Sequence, residues 1–242
     1  MTTRPPTARQ RRSAALRSTV VLKAAMAVSG LLMVAYLLAH MYGNLKIFAG
    51  QASFDGYAQF LRTVGEPLLP HGGLLWLVRV VLGASVVVHV SAAVVLWRRA
   101  RRATGGRGGQ RYESTKARTG VQRSYASFTM RWGGVTLLLF IVFHVLHLSA
   151  DNVIHPGGAS SSPYERVVNG FGVWWVVLSY TLALLALGLH LRHGFWSAFA
   201  SLGANTSTAR RRHLNGVAVG VSLVITTGFL VPPWAIFLGQ VG

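Results

Sequence analysis

FTMRWGGVTLLLFIVFHVLHLSA, residues Phe128–Ala150, is a run of 23 residues with one formal charge, Arg131, near its start. At 1.5 Å per residue, a helix of about twenty residues reaches the roughly 30 Å needed to cross the hydrocarbon core of a bilayer. Four further stretches of the same kind flank it: Val20–Tyr42, Gly73–Trp97, Phe171–His193 and Leu214–Leu238. The expected fold is therefore an all-α integral membrane bundle of five transmembrane helices. A basic N-terminal arm, residues 1–19, precedes a membrane domain covering residues 20–242.

Composition agrees with this reading. Apolar residues make up 52% of the chain and charged residues 12%, about half the charged content of an ordinary soluble domain. A net charge of +19 could suggest nucleic acid, but such a binder gathers its bases on one folded face, whereas here they lie between apolar runs. About twenty polar residues precede the first apolar run, and no small-residue cleavage site with a soluble domain follows it, so that run reads as a retained helix.

The bases crowd the N-terminal arm, the Arg98–Arg131 connection and the Arg192–Arg212 connection. By the positive-inside rule these three segments are cytoplasmic. The other two connections hold Asp55, Glu66, Asp151 and Glu165, four of the five acids, and face outward with the C-terminus. The expected location is the plasma membrane, multi-pass, with the N-terminus inside. The basic segments serve orientation and attraction to anionic lipid, and a partner contact is compatible with both. Gly105–Gly109 reads as flexible linker. Lys23 and Arg79 lie near the ends of apolar runs, where they can snorkel to the interface or face an anionic cofactor group.

Ionisable residues inside spans are costly and mark function, which singles out His40, His89, His144, His147, His190 and His193. The first and third spans run outward and reach His40 and His144 near their outer ends. The second and fourth run inward and reach His89 and His190 after about sixteen to twenty residues at 1.5 Å each. Four histidines on four helices thus sort into two pairs, one in each half of the bilayer. That is the layout of two stacked b-type haems, each held by two imidazoles from facing helices, with Gly30, Gly133, Gly134 and Gly188 available where a helix approaches the ring. His147 and His193 each follow a candidate ligand by three residues and could replace it, or could hydrogen-bond a propionate, a quinone or the backbone. His71, His155 and His213 read as solvated. The chain has no cysteine, so thiolate ligation, c-type attachment and a protein-bound iron–sulfur cluster are excluded, and any redox centre must use histidine.

The strings LLAHMYGNLKIF around His40, VVVHVSAAV around His89, TMRWGG leading to FIVFHVLHL around His144, and LHLRHGFWSAF around His190 resemble the di-haem cytochrome b subunit of succinate dehydrogenases and fumarate reductases with a single five-helix anchor. The likeness runs from about Leu22 to the fifth helix. It implies His89 and His190 as axial ligands of a proximal haem near the cytoplasm, and His40 and His144 as ligands of a distal haem. It also implies partners: a flavoprotein subunit that oxidises succinate and an iron–sulfur subunit on the cytoplasmic face, within a complex of the respiratory chain and the tricarboxylic acid cycle. The arm and the first basic connection are longer or more basic than the family pattern.

No dinucleotide motif or soluble domain is present to hold a flavin or dicarboxylate, so no catalytic residue for succinate is expected on this chain. Its part in the enzyme would be to carry electrons to a quinone, with menaquinone expected. Electron flow from succinate to that acceptor is uphill and could draw on the membrane potential at about 2.3 kcal/mol per charge per 100 mV. Quinone reduction also takes protons, which makes Glu66, Asp55, Lys46 and His147 candidates on the outer side. Arg131, Arg79 and His193 join them as candidates for the quinone or for a propionate. Two alternatives remain open at this point: a stand-alone di-haem carrier resembling cytochrome b561-like reductases, and a haem-free transporter or structural anchor.

Overall fold

The computed structural model describes residues 18–105, 121–149 and 153–242. The basic arm up to residue 17, most of the Gly105–Gly109 stretch and Asp151 lie outside the described residues.

All regular structure among the described residues is helical. The order is α1 (Thr19–Leu45) with a 3-10 turn at Lys46–Ala49, α2 (Gln51–Thr63), α3 (Gly73–Gly105), α4 (Val121–His144) widening into a π-turn at Val145–Ser149, α5 (Pro163–Phe171), α6 (Trp174–Ser201) and α7 (Thr208–Phe237). Five of these segments are long and apolar enough to cross a membrane: Thr19–Ala49, Gly73–Arg102, Thr129–Ser149, Trp174–Ser201 and Thr208–Phe237. In hydrocarbon no water is available to satisfy the backbone, which is why such apolar stretches must close their own hydrogen bonds as helices.

Serines set several helix starts. Ser18, Ser162 and Ser207 each accept a hydrogen bond from the backbone N–H three residues on, capping α1, α5 and α7. The fourth span begins at Trp174 rather than at Phe171, because Pro163–Phe171 forms a helix of its own and Gly172–Val173 interrupts the chain before α6.

α6 is the hub. It packs against α1, α4 and α7, while α3 lies along α1. Burial follows: 39% of the apolar stretch of α6 is buried, against 11% for α3 and 6% for α4, so those two helices leave most of their surface uncovered. Gly188 serves this hub. A Cβ there would lie 2.6 Å from Thr226 Oγ1, and the Gly188 carbonyl accepts a 2.6 Å bond from Ser222 Oγ. The glycine therefore joins α6 to α7 and does not clear space beside a histidine.

The two ends of the bundle differ. One carries arginines: Arg98, Arg101 and Arg102, exposed, and the half-buried Arg99 close α3, and the exposed Arg210, Arg211 and Arg212 open α7. Arg99 donates to Thr19 Oγ1 at 3.2 Å, tying the end of α3 to the start of α1. At the other end α2 and α5 form a cap. Asp55 of α2 accepts from Ser162 Oγ at 2.6 Å and from the Tyr164 N–H at 2.9 Å. Gln51 Nε2 donates to Glu165 Oε1 at 3.3 Å, and Ser160 Oγ donates to Glu165 Oε2 at 2.6 Å.

Candidate functional site

Four helices each bring one histidine into a facing pair. His40 of α1 meets His144 of α4, with ring centroids 5.8 Å apart and planes at 80°. His89 of α3 meets His190 of α6, with centroids 6.2 Å apart and planes at 58°. Tyr180, which touches His144, and His190 are ten residues apart on α6, so the two pairs lie on the order of 15 Å apart along the bundle.

The spacing lies in the range of ordinary ring contacts and also suits a shared metal. Two imidazoles bound to one metal from opposite sides each contribute a bond of about 2 Å and about 1 Å more to the ring centre, which sets the centroids about 6 Å apart. The helices behind the rings also leave room, since α1 with α4 and α3 with α6 are not among the closely apposed pairs. All four rings are only half-buried although each faces another helix. Gly30 lies beside His89, where a Cβ would come within 3.3 Å of the ring, and Gly134 lies beside His190 at 3.9 Å. Gly133 is nearest the Ala186 carbonyl, at 3.9 Å.

Hydrogen bonds orient two of the rings. His89 Nδ1 lies 3.0 Å from the Met26 carbonyl. A carbonyl only accepts, so this nitrogen carries the proton and Nε2 is left with its lone pair. His144 Nδ1 lies 3.2 Å from the Tyr180 hydroxyl. His40 stacks on Tyr36 at 5.2 Å and 12°. His190 Nδ1 is buried and has no hydrogen-bond partner.

His147 and His193 do not join the pairs. His147 is 2% exposed, bonds the Tyr180 hydroxyl through Nδ1 at 2.9 Å and stacks on Phe143 at 5.5 Å. Its Nε2 is turned to Gly170, where a Cβ would lie 2.5 Å away. The π-turn that carries His147 leaves His144 facing His40. His193 is exposed.

The charged candidates are occupied elsewhere or lie at the surface. Glu66 contacts His71 at 3.0 Å on an exposed turn. Asp55 clamps α5 to α2. Lys46 Nζ lies 5.2 Å from the Tyr42 ring centre and 5.9 Å from that of Tyr57. Arg79 is exposed and lies over Trp76 at 4.9 Å. Arg131 and Lys23 are exposed near the arginine-rich end. His71, His155 and His213 are exposed.

Sequence reasoning missed Tyr180, whose hydroxyl joins two histidines. It also missed the capping helices, although Ser162-Pro-Tyr-Glu165 is a capping-box string. Compared with protein-family models, with curated proteins and with solved structures, the chain finds no match.

Proposed function

We propose that this chain is the di-haem cytochrome b anchor of a succinate:quinone oxidoreductase. One observation carries the reading: two facing imidazole pairs, on four different helices and at two levels of an apolar bundle, each at a separation that a shared metal would fit. No group of three or more His, Asp or Glu able to hold a metal ion occurs among the described residues. A pair of imidazoles suits an iron that arrives with four ligands of its own, as in a porphyrin. The residues fit that group. His89 and His190 would hold one haem, and His40 and His144 the other. The carbonyl bond of His89 leaves Nε2 for iron, and the half-buried rings and Gly30 and Gly134 leave space at the pair that His89 and His190 form.

Each haem, when bound, supplies a one-electron redox couple at its iron. The chain's own residues supply position and environment. Met26 and Tyr180 fix two imidazoles by their second nitrogen, and the bundle holds the two pairs at successive depths. The arginine-rich end suits an acidic face of an iron–sulfur partner, and the anchor would carry electrons from there toward a quinone, with menaquinone proposed, at the capped end. The resemblance of the strings around His40, His89, His144 and His190 supplies the succinate assignment and the flavoprotein partner.

The test is a pyridine haemochrome assay on the purified protein. Two haems per chain are expected, falling to one in His40→Ala and to one in His190→Ala, because Ala cannot coordinate iron. A colourless wild type sinks the reading. Two haems in a chain that never co-purifies with flavin and iron–sulfur subunits would move it to a stand-alone carrier of the cytochrome b561-like kind.

A further inference from the structure

Tyr180 lies within the helix that forms the hub of the bundle, and it is 5% exposed. Its ring stands edge-on to Phe140 at 4.8 Å and 87°, to Phe171 at 4.8 Å and 89°, and to Phe143 at 6.0 Å and 69°. Held on three sides, the ring has little freedom to swing. The hydroxyl meets two imidazole nitrogens, His144 Nδ1 at 3.2 Å and His147 Nδ1 at 2.9 Å.

A tyrosine hydroxyl has one proton, so it can donate to only one of these nitrogens and must accept from the other. If His144 presents Nε2 to a metal, its Nδ1 carries a hydrogen. The order is then settled: His144 Nδ1–H donates to Tyr180 Oη, and Tyr180 O–H donates to His147 Nδ1. His147 is locked in turn. Its ring is buried, and Gly170 leaves no space for it to back away, because even a methyl group at that position would lie 2.5 Å from Nε2. Hydrogen bonds in such a chain polarise one another, so the His144 Nδ1–H faces a stronger acceptor than an isolated hydroxyl.

We propose that Tyr180, backed by His147, is a positioning residue that fixes the tautomer and rotation of His144 and strengthens it as an electron-donating ligand. An acceptor for the second ring nitrogen raises the basicity of a metal-bound imidazole, and loss of such a partner typically costs 10–100-fold in metal affinity or activity. The other pair is finished differently: His89 donates to a main-chain carbonyl with no side-chain relay behind it, and His190 Nδ1 has no partner. The inference rests on the di-haem reading and goes beyond it by assigning His144 a side-chain relay whose removal is felt at one pair alone.

The experiment is a redox titration followed by optical and low-spin EPR spectra on the intact membrane complex carrying Tyr180→Phe, which keeps the ring and removes the hydroxyl. Haem content stays at two per chain. One of the two components moves to higher potential by about tenfold in its redox equilibrium, which is about 59 mV for one electron, and one EPR signal shifts while the other stays. His147→Leu should move the same component in the same direction, and His147→Gln, which keeps an acceptor for the hydroxyl, should restore it toward wild type. If Tyr180→Phe does not fold, His147→Leu decides alone. Two haems with potentials and EPR signals unchanged in the variants would overturn the Tyr180 assignment and leave the di-haem reading standing. A wild type without haem removes both.

Discussion

The two halves of the bundle use the same four-helix device and finish it differently. At the capped end the His40–His144 pair is surrounded by aromatic rings, joined through Tyr180 to a buried second histidine, and closed over by α2 and α5. At the arginine-rich end the His89–His190 pair has one main-chain carbonyl as its hydrogen-bond partner, and the helices beyond it end in exposed arginines. The contrast teaches that two pairs of the same side chain can have unlike surroundings, which on the di-haem proposal would make two unlike sites. A polar group on the far side of an imidazole and the closure of the surrounding protein are separate levers on a redox centre. On the proposed function, one half would hold its ligands by tight packing and the other would be open to a partner of opposite charge.

The largest effect that could break this comparison comes from removing the proposed ligand histidines two at a time. If each pair acts as one unit, His40→Ala combined with His144→Ala loses the same single haem as either change alone, and one haem per chain remains. Combining His40→Ala with His89→Ala crosses the pairs and leaves none. Haem-to-protein ratios from pyridine haemochrome spectra separate these outcomes. Retention of one haem by the crossed variant would mean that the ring pairs of the structure are not the ligand pairs.

The comparison was partly legible in the sequence. Five continuous runs of about twenty apolar residues pointed to the bundle, because a run of that length satisfies its own backbone in lipid as a helix. Alternating chain direction sorted His40 with His144 and His89 with His190 by depth, and the structure brings the same rings together. The cap was not legible that way. At 13 and 9 residues, α2 and α5 are too short and too polar to register in a search for spans, and their mutual clamp joins Asp55 to Ser162 across more than a hundred residues. Tyr180 was hidden for the opposite reason. A tyrosine in an apolar run looks like packing, and only the meeting of α4, its π-turn and α6 shows that its hydroxyl has two histidines to serve. Gly188 carries the same lesson, since spacing alone could not tell a helix contact from a cofactor contact.

The orientation of the two halves can be sharpened with the same sequence. Because the chain contains no cysteine, one introduced thiol reports unambiguously. Ser161 at the capped end and Ser201 at the arginine-rich end are both exposed. The positive-inside rule predicts the arginines inside, so a membrane-impermeant maleimide added to intact cells should label Ser161→Cys and leave Ser201→Cys unlabelled until the membrane is opened. The reverse pattern would put the arginine-rich end outside and remove it as the docking face for a cytoplasmic partner.

The smallest effect is also the most local. Gly170→Ala adds one methyl group that would lie 2.5 Å from His147 Nε2 and 2.8 Å from Cε1. His147 has nowhere to retreat, with Phe143 stacked on it and Phe171 and Tyr180 at its edges. Overpacking of this kind costs typically 1–3 kcal/mol. The control is Gly220→Ala on α7, where a Cβ would meet nothing within 4 Å and the exchange should stabilise the helix by roughly 0.5–1 kcal/mol. Melting of the detergent-solubilised protein should therefore fall for Gly170→Ala and hold or rise for Gly220→Ala. The displaced His147 must also loosen its bond to Tyr180, so on the di-haem proposal the capped-end haem alone should show a changed spectrum in Gly170→Ala. If both haems changed together, or neither did, the tightness of the capped half would have no bearing on its ligand pair.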